Sequence, residues 1–575
     1  MTNVPEQDAL LAAGPEAAGG VRHFHRPQER PFRKSERGHV KVLFGGLTER
    51  HDALIEAAIG GLGYNMGRIP TPTKADYHTG RECGNAGMCN PAYFTVGALL
   101  NYLRRLRDEQ GLDRDVILAN YVFVTAGSCG PCRFGMYESE FRLALRYGGF
   151  EGFRVLLFQQ TGGLEQGVDD AGLDANTKFA LMLLTAFLFG DILNDLAYQI
   201  RPYEVVPGRT DEVFDGILKD CCRMLREWSG RTFEGGVWAQ LLSRLALRTD
   251  PDMLQHLIEQ LLKDGFHDSL EEFRKRIDRD IVVDYTRPKP VVKVIGEAWA
   301  QMTEGDGNYR MFSYLEQEGA EVIAETMCSW VNYLLYGEKW RLLDEGVDAT
   351  PRLFDFAGRF RRAFKHRKQV LLLALGSKLL EREYAKISAR LGGIVHPQAD
   401  HPTLRKLAKS FFNYKISGGE SHLEVGKTIY YSINGLVHMV LSLKPFGCMP
   451  STQSDGTQAA VVGRYPEILF LPIETSGEGE INAYSRVQMV LGDAKARCKQ
   501  EFQKAVERSA YPLDVIRKFC RSRPELQRPL QLVPRGRGVV GRAANFVSYV
   551  AAMMDRCPEW SRYKYSGENV VTDKP

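Results

Sequence analysis

A pair of cysteines in a tight turn between a strand and a helix constrains this chain most strongly. Residues 121–125 form an apolar run that predicts a buried strand, and the turn Cys129-Gly-Pro-Cys132 follows it. Beyond the turn, four apolar residues recur at helical spacing: Phe134, Tyr137, Phe141 and Leu145. The two thiols are therefore expected where open α/β sheets bind ligands and where helix N–H groups favour negative charge. An anionic metal–thiolate centre suits this position.

Composition indicates a large globular protein of the cytoplasm. The 575 residues suffice for three or four units of roughly 150 residues each. A net charge of +4 is close to balanced for this length, so we expect no nucleic-acid partner. The N-terminus lacks the basic and apolar regions of a secretory signal. The longest strongly apolar run, residues 179–189, is too short to cross a bilayer, so we also expect no membrane partner.

The chain has eleven cysteines, and in a reducing compartment they are not expected to form a disulfide framework. Cys221, Cys498 and Cys520 each continue an apolar helical stripe, which predicts thiols packed in the core. Cys222 and Cys557 lie in no pattern that indicates a role.

Other cysteines lie in loops. Cys328 and Cys448 each follow a strand-like run, as Cys129 does. Cys83 and Cys89 lie in one glycine-rich loop after the short run 64–69. The residues that follow Cys89 are Asn90, a natural N-cap, and Pro91, a natural first helical residue. Thiols at the ends of strands and the starts of helices thus recur along the chain.

Three chemistries fit these thiols. Structural zinc usually uses two paired knuckles, and the chain has one C-x-x-C pair. A redox C-x-x-C of thioredoxin type would leave Cys89 and Cys448 without a role. An iron–sulfur cluster between domains accommodates ligands spread over more than 350 residues. All three remain open on these residues alone, and iron–sulfur is the favoured interpretation.

Strand-like and helical segments alternate along the chain. This order predicts an α/β fold of two doubly wound parallel lobes with helical insertions and a helical C-terminal region. The second set of strands is expected at residues 291–296, 321–326, 393–395, 437–443 and 468–471, interrupted by a helical insert at about 350–392. The predicted domains are a disordered basic tail (1–38), a first α/β lobe (39–164), a helical region (165–285), a second α/β lobe (286–480) and a C-terminal helical region (481–575).

Two glycine-rich segments resemble nucleotide loops superficially. Residues 417–428 contain Gly426-Lys427-Thr428 but lack the glycine spacing of a phosphate-binding loop. Residues 474–480 follow a predicted strand and are acidic, so they would repel ATP phosphates, whereas Thr475 and Ser476 can cap the following helix. Neither segment predicts an ATPase.

Five segments together resemble the 2-hydroxyacyl-CoA dehydratase/benzoyl-CoA reductase superfamily. They are Phe-Gly-Gly-Leu at 44–47, Cys-Asn-Pro-Ala-Tyr-Phe-Thr-Val-Gly at 89–97, Thr-Ala-Gly-Ser-Cys-Gly-Pro-Cys-Arg-Phe-Gly-Met-Tyr at 125–137, Gly-Cys-Met-Pro at 447–450 and Glu-Thr-Ser-Gly-Glu-Gly-Glu-Ile-Asn at 474–482. The likeness covers about residues 38–510. It is strongest to the dehydratase-like region of the CoA-substrate-specific enzyme activase proteins, which are related to the double-cubane-cluster proteins.

This resemblance implies a cysteine-bound iron–sulfur centre between Rossmann-like lobes. Cys89, Cys129, Cys132 and Cys448 fall in matching motifs and are the implied ligands of a [4Fe-4S] cluster. Cys83 and Cys328 are secondary candidates, because six thiols would satisfy a double-cubane [8Fe-9S] cluster.

The resemblance also implies partners. A separate ATP-hydrolysing [4Fe-4S] activator of the actin/Hsp70 type would reduce the cluster, which would pass electrons to an acyl-CoA or a small molecule in a homodimer or heterodimer. The sequence assigns no catalytic residue. The alternative is a non-catalytic electron-storage or scaffold partner, or a zinc-stabilised structural protein.

Overall fold

The computed structural model describes residues 29–127, 132–159, 163–164, 170–232, 259–260, 265–345, 356–416 and 419–564. The architecture is mixed α/β, with two mainly parallel sheets surrounded by helices. Described helices include α1 (Glu49–Gly60), α2 (Lys74–Cys83), α3 (Asn90–Asp108), α4 (Arg114–Asn120), α5 (Tyr137–Tyr147), α6 (Thr177–Ile200), α7 (Arg209–Gly230), α8 (His267–Asp280), α9 (Ala298–Met302), α10 (Met311–Gln317), α11 (Met327–Glu345), α12 (Phe356–Arg390), α13 (His401–Ala408), α14 (Ser421–Ile433), α15 (Met449–Arg464), α16 (Glu480–Ser509), α17 (Leu513–Arg521), α18 (Arg542–Met554) and α19 (Pro558–Ser561).

The first sheet has the strand order β2-β1-β3-β4-β5. Its strands are β1 (Lys41–Phe44), β2 (Asn65–Arg68), β3 (Tyr121–Gly127), β4 (Arg154–Gln159) and the short β5 (Gly163–Leu164). Strands β1 to β4 are parallel, and β5 is antiparallel to β4. The chain therefore runs from β1 to one side and then crosses to the other, so the direction of winding reverses between β1 and β3.

The second sheet repeats this order with four parallel strands, β7-β6-β8-β9. They are β6 (Val291–Gly296), β7 (Glu321–Ile323), β8 (Met439–Pro445) and β9 (Phe470–Thr475). Winding reverses here between β6 and β8. Strands β6 and β8 are buried along their whole length, as expected for parallel strands that helices cover on both faces.

Separate apolar clusters cover the two faces of each sheet. In the first sheet, Val42 and Val122 pack in the cluster that contains α1, α6 and α7, whereas Leu43 and Phe123 pack against α3 and α5 on the other face. In the second sheet, Val294 packs with α10 and α16, and Ile295 packs in a different cluster. Since the strand periodicity is two, adjacent residues serve opposite faces.

The apolar run at 179–189 belongs to a longer helix than the sequence predicts. Helix α6 continues through Gly190 and Asp191 to Ile200, because Asp191, Asn194 and Asp195 are buried and hydrogen-bonded to neighbouring elements. Residues 177–203 form the one span in the described part of the chain that is long and apolar enough to cross a bilayer, but 72% of its apolar window is buried inside the protein. This burial is typical of a core helix in a soluble protein.

Two other expectations change. Residues 393–395 are not a strand: the left-handed Gly392 and Gly393 turn the chain after α12, and Ile394 and Val395 then pack into the core as a loop. Residues 29–38, assigned to the basic tail, pack on the first lobe, where Phe32 is buried and Glu36 pairs with Arg154. Residues 1–28 lie outside the described part of the chain.

Candidate functional site

The carboxyl ends of both sheets carry the loops that resemble the dehydratase superfamily. The loop after β3 leads to Cys132, and the loop after β8 leads to Cys448. Both follow strands at which the winding reverses, which is where open α/β sheets place ligands. Cys89 arrives differently from the prediction, because the ten-residue helix α2 separates it from β2.

Cys89 is held at the start of α3 by a rigid loop. Glu140 on α5 accepts hydrogen bonds from the Asn85 backbone N (3.1 Å) and side chain Nδ2 (2.6 Å). Tyr93 Oη accepts from Met88 N at 3.0 Å and donates to Asn85 O at 2.9 Å. Helix α3 begins at Asn90, so the N-cap is Cys89 itself, one residue before the predicted Asn90. Pro91 is therefore the second helical residue rather than the predicted first.

Cys132 begins the turn that leads into α5. It is the N-cap of a 3₁₀ turn at Arg133–Met136, and its Sγ accepts from Phe134 N at 3.5 Å. The predicted helix follows as α5. Tyr137, the first residue of α5, is buried, and its Oη lies 3.0 Å from Cys89 Sγ, so the two groups share a hydrogen bond. Arg133 donates to the Gly87 carbonyl and thereby ties the Cys132 turn to the Cys89 loop.

Cys448 belongs to the second lobe, and its loop contacts the Cys89 loop. It is the N-cap of α15, with Pro450 in the first turn. Asn90 N donates to Phe446 O at 3.0 Å, so the Cys89 and Cys448 loops are hydrogen-bonded across the two lobes. Gly447 has φ +76°, and a Cβ placed there would lie 3.3 Å from Met88 O and 3.5 Å from Cys89 Cα. The two loops therefore meet at backbone distance.

Cys89, Cys132 and Cys448 thus all occupy N-cap positions. Helix N-termini favour negative charge, which suits thiolates. Burial opposes ionisation and raises the pKa of both the Cys89 and the Cys448 thiols. Nearby Glu297 raises both pKa values further, whereas Tyr137 and Arg133 lower the pKa of Cys89. The free Cys89 and Cys448 thiols are therefore neutral near pH 7, and metal binding would release their protons.

Sequence reasoning missed two acidic residues beside these thiols. Glu297 follows β6 directly and caps α9, where its carboxylate accepts from Ala300 N at 3.0 Å. Glu420 accepts from Trp330 Nε1 at 3.0 Å. Burial, reinforced by the charge of Glu297, raises the pKa of Glu420 to about 8, and burial also raises the pKa of Glu297. Glu297 could have been found from its position, since it follows a strand, as Cys132 and Cys448 do.

The remaining candidate ligands divide into three cases. Cys129 lies outside the described residues. Cys83 is the last residue of α2, and its Sγ lies 3.9 Å from Arg104 Nη2 on α3. Cys328 is fully buried near the start of α11, and its backbone N donates to Asp191 Oδ2 at 2.8 Å. Asp191 in turn contacts His51, so Cys328 belongs to a polar network at α6. The roles of Cys83 and Cys328 as ligands stay predictions.

The core thiols lie where the helical stripes predict. Cys221 on α7, Cys498 on α16 and Cys520 on α17 are buried. Burial raises the pKa of each of them, as expected for inert packed thiols.

Neither glycine-rich segment forms a phosphate loop in the described residues. Lys427 and Thr428 lie in the middle of α14, and Lys427 Nζ pairs with Glu325 Oε2 at 3.0 Å in the protein interior. The acidic segment after β9 joins the strand to α16, as predicted, although the N-cap is Gly479 rather than Thr475 or Ser476. Its Ser476 N donates to Tyr309 Oη at 2.7 Å, which fixes the loop on the second lobe.

Lys427→Ala should destabilise the fold by about 2 kcal/mol without affecting nucleotide chemistry. Lys293 Nζ lies 3.0 Å from the same Glu325 oxygen and keeps that carboxylate paired, so the loss stays moderate. Urea unfolding measures the stability, and phosphate release measures ATP turnover, which we expect to be zero in both proteins. ATP turnover that the substitution abolishes would contradict this role and make residues 417–428 a nucleotide site.

The chemistry of Cys89, Cys132 and Cys448, which meet where the two lobes join, fits an iron–sulfur cluster, because cysteine thiolates are its usual ligands. Within the described ranges, no group of three or more His, Cys, Asp or Glu side chains is close enough to hold a single metal ion. Ligands of a multi-iron cluster lie further apart than those of one ion. The three described thiols would hold such a cluster together with Cys129.

No protein-family model matches the chain, and no curated protein matches it significantly.

Proposed function

We propose that this chain is an iron–sulfur protein of the 2-hydroxyacyl-CoA dehydratase type. It accepts low-potential electrons from a separate ATP-hydrolysing activator and passes them to an acyl-CoA or a small molecule. The observation that supports this most is the hydrogen bond from Asn90 N to Phe446 O, which joins a thiol-bearing loop of each lobe. A centre that uses Cys89 and Cys448 together would lie between the lobes, as the resemblance implies.

We also propose that both lobes are Rossmann-like and doubly wound. The support is the repeated strand order, with β1 and β6 each inside its sheet and the winding reversed beside it. Helices on both faces of each sheet agree with this description. The Cys132 and Cys448 loops then lie at equivalent positions of two similar lobes.

The residues around the thiols have a defined task in this proposal. When bound, a cluster supplies one-electron transfer at a potential set by charge, hydrogen bonds to sulfur and exclusion of water. Tyr137 Oη lies 3.0 Å from Cys89 Sγ and would donate to that sulfur once it is a thiolate, which would reduce its negative charge. The pKa of Glu420, raised to about 8 by burial, favours its protonated form near pH 7, so this carboxyl adds less negative charge beside Cys448. Cys89 and Cys448 are buried, which keeps water from these two thiols, whereas Cys132 is partly exposed.

The energy source is assigned to another protein. A phosphate-binding loop at the start of a helix is one way in which a chain can hydrolyse ATP. Gly426-Lys427-Thr428 is instead an interior turn of α14, with Lys427 committed to Glu325. We therefore propose that the activator is a separate polypeptide.

Replacing a junction thiol tests this function. Cys132→Ser should remove most of the iron from anaerobically purified protein, because serine is a poor cluster ligand. Cys498→Ser removes a buried sulfur from α16 and is the matched control, in which we expect full iron content and at most a small loss of stability. Equal iron in the wild type and Cys132→Ser would refute the ligand assignment, and zinc without sulfide would favour the structural alternative.

A further inference from the structure

Helices α11 and α12 form a hairpin whose outer half projects from the second lobe. The inner half of α12 is anchored in the core through Leu380, Tyr384 and Ile387. Further out, α12 lies along α11, and His366 Nε2 donates to Leu342 O at 2.8 Å. The outer half of α12 therefore has one face on α11 and one face in solvent.

The solvent face of this outer half is apolar at its centre. Phe364, Leu371 and Leu375 recur at helical spacing, and their exposed fractions are 63%, 59% and 47%. Leu372, at 44%, borders them. Four large apolar side chains exposed together on one helix face indicate a surface that another molecule covers. We call Phe364, Leu371, Leu372 and Leu375 the apolar stripe.

The same helix is strongly basic. Residues 356–380 contain seven Lys and Arg and no Asp or Glu. Lys365, Arg367 and Lys368 are exposed beside the apolar stripe and form no ion pair with any described residue. The acidic residues of the adjoining α11 are already paired: Glu338 and Glu345 with Arg341, and Asp344 with Lys415. The stripe is thus flanked by uncompensated positive charge.

The charge and the shape of this face of α12 indicate which kind of surface covers it. A second copy of the chain, packed stripe on stripe, would bring two sets of seven like charges together. A nucleic acid would pair with the basic residues but would leave the apolar stripe in water. A partner that closes around the helix is excluded by α11 on the opposite side. A flat surface that is acidic outside and apolar beneath satisfies every feature.

We propose that the outer half of α12 docks on an anionic lipid surface. The apolar stripe enters the boundary between headgroups and acyl chains, and Lys365, Arg367 and Lys368 contact the lipid phosphates. The expectation of no membrane partner rests on the lack of a spanning segment, which a helix lying on the surface does not need. This docking is independent of the cluster proposal.

Vesicle sedimentation with the full-length protein tests the docking. We expect binding to phosphatidylglycerol-containing vesicles, little binding to pure phosphatidylcholine, and release at about 0.5 M salt. Lys365→Glu with Lys368→Glu should weaken binding at least about 25-fold, since each cation contributes roughly fivefold. Leu371→Ser with Leu375→Ser should weaken it about tenfold. Lys499→Glu with Lys504→Glu makes the same charge change on exposed positions of α16 and should bind like the wild type.

Each other result overturns the proposal. Equal binding to both vesicle types, or no binding to either, would contradict docking on an anionic lipid surface. Full binding by the double lysine variant or by the double leucine variant of α12 would contradict the roles assigned to those residues. An equal loss of binding in the α16 control would show a nonspecific effect of charge. Self-association of the wild type that Leu371→Ser with Leu375→Ser abolishes would assign the face to a second copy. Circular dichroism confirms that the surface variants are folded.

Discussion

Gly447→Val is expected to strip most of the iron from the protein while the fold survives. Gly447 has φ +76° and lies where the two lobes meet, so a side chain there would push against Met88 O and the Cys89 backbone. A valine also pays about 1–2 kcal/mol for the left-handed conformation. Separating the loops by even about 1 Å would misplace Cys448 relative to Cys89. Iron content and the midpoint of unfolding are the two measurements.

Gly435→Val is the control that separates the effect of backbone strain from the effect of moving the two loops apart. Gly435 also has a positive φ, +56°, but no atom lies within 4 Å of a Cβ placed there. This variant should lose a similar amount of stability and retain its iron. If both valine variants keep their iron, the contact between the loops does not position the thiols.

Arg542→Met should destabilise the protein by about 3–5 kcal/mol, because it leaves a buried carboxylate without its main counter-charge. Arg542 Nη2 lies 3.3 Å from Glu321 Oε1 and joins α18 to β7. Tyr203 Oη donates to Glu321 Oε2 at 2.8 Å and would remain. The control is Arg146→Met, which breaks an exposed pair with Glu151 and should leave the unfolding midpoint nearly unchanged.

The stability difference between the wild type and Arg542→Met should depend on pH in a defined direction. Burial alone would raise the pKa of Glu321, but Arg542, His396 and Tyr203 outweigh it and hold the pKa below its ordinary value. A lowered carboxyl pKa contributes stability above the unfolded value, and that stability disappears as the pH falls through the folded pKa. The free energy of unfolding of the wild type should therefore exceed that of Arg542→Met most at neutral pH. The difference should shrink progressively below about pH 4. A constant difference in urea midpoints would contradict the role of this ion pair.

Local patterns predicted the elements that bear on the site. Strand β6 has the predicted bounds, because its apolar run and the glycine that ends it are local signals. The placement of Cys132 and Cys448 at strand ends followed in the same way. The strand predicted at residues 393–395 is wrong, because apolar residues that pack into the core as a loop show the same local pattern as a strand.

The convergence of the site could not be derived from local patterns. The meeting of Cys89 with Cys448 depends on how the two lobes pack. Tyr137 reaches Cys89, and Glu420 lies near Cys448, through the tertiary packing within each lobe. In the sequence, Tyr137 is one member of an apolar helical stripe, and Glu420 lies in a glycine-rich segment that superficially resembles a nucleotide loop. Helix α2 before Cys89 was missed because its residues are mostly polar, although Thr73 and Asp76 form a capping box at its start.

Iron and acid-labile sulfide in anaerobically purified wild-type protein test the central claim most directly. We expect brown protein with broad absorbance near ~400 nm and iron and sulfide in nearly equal amounts, as in a [4Fe-4S] or double-cubane cluster. Both Cys89→Ser in the first lobe and Cys448→Ser in the second should lose this absorbance, because one centre uses thiols of both lobes. Colourless protein that carries zinc, or full absorbance in either variant, would contradict an iron–sulfur centre shared between the lobes.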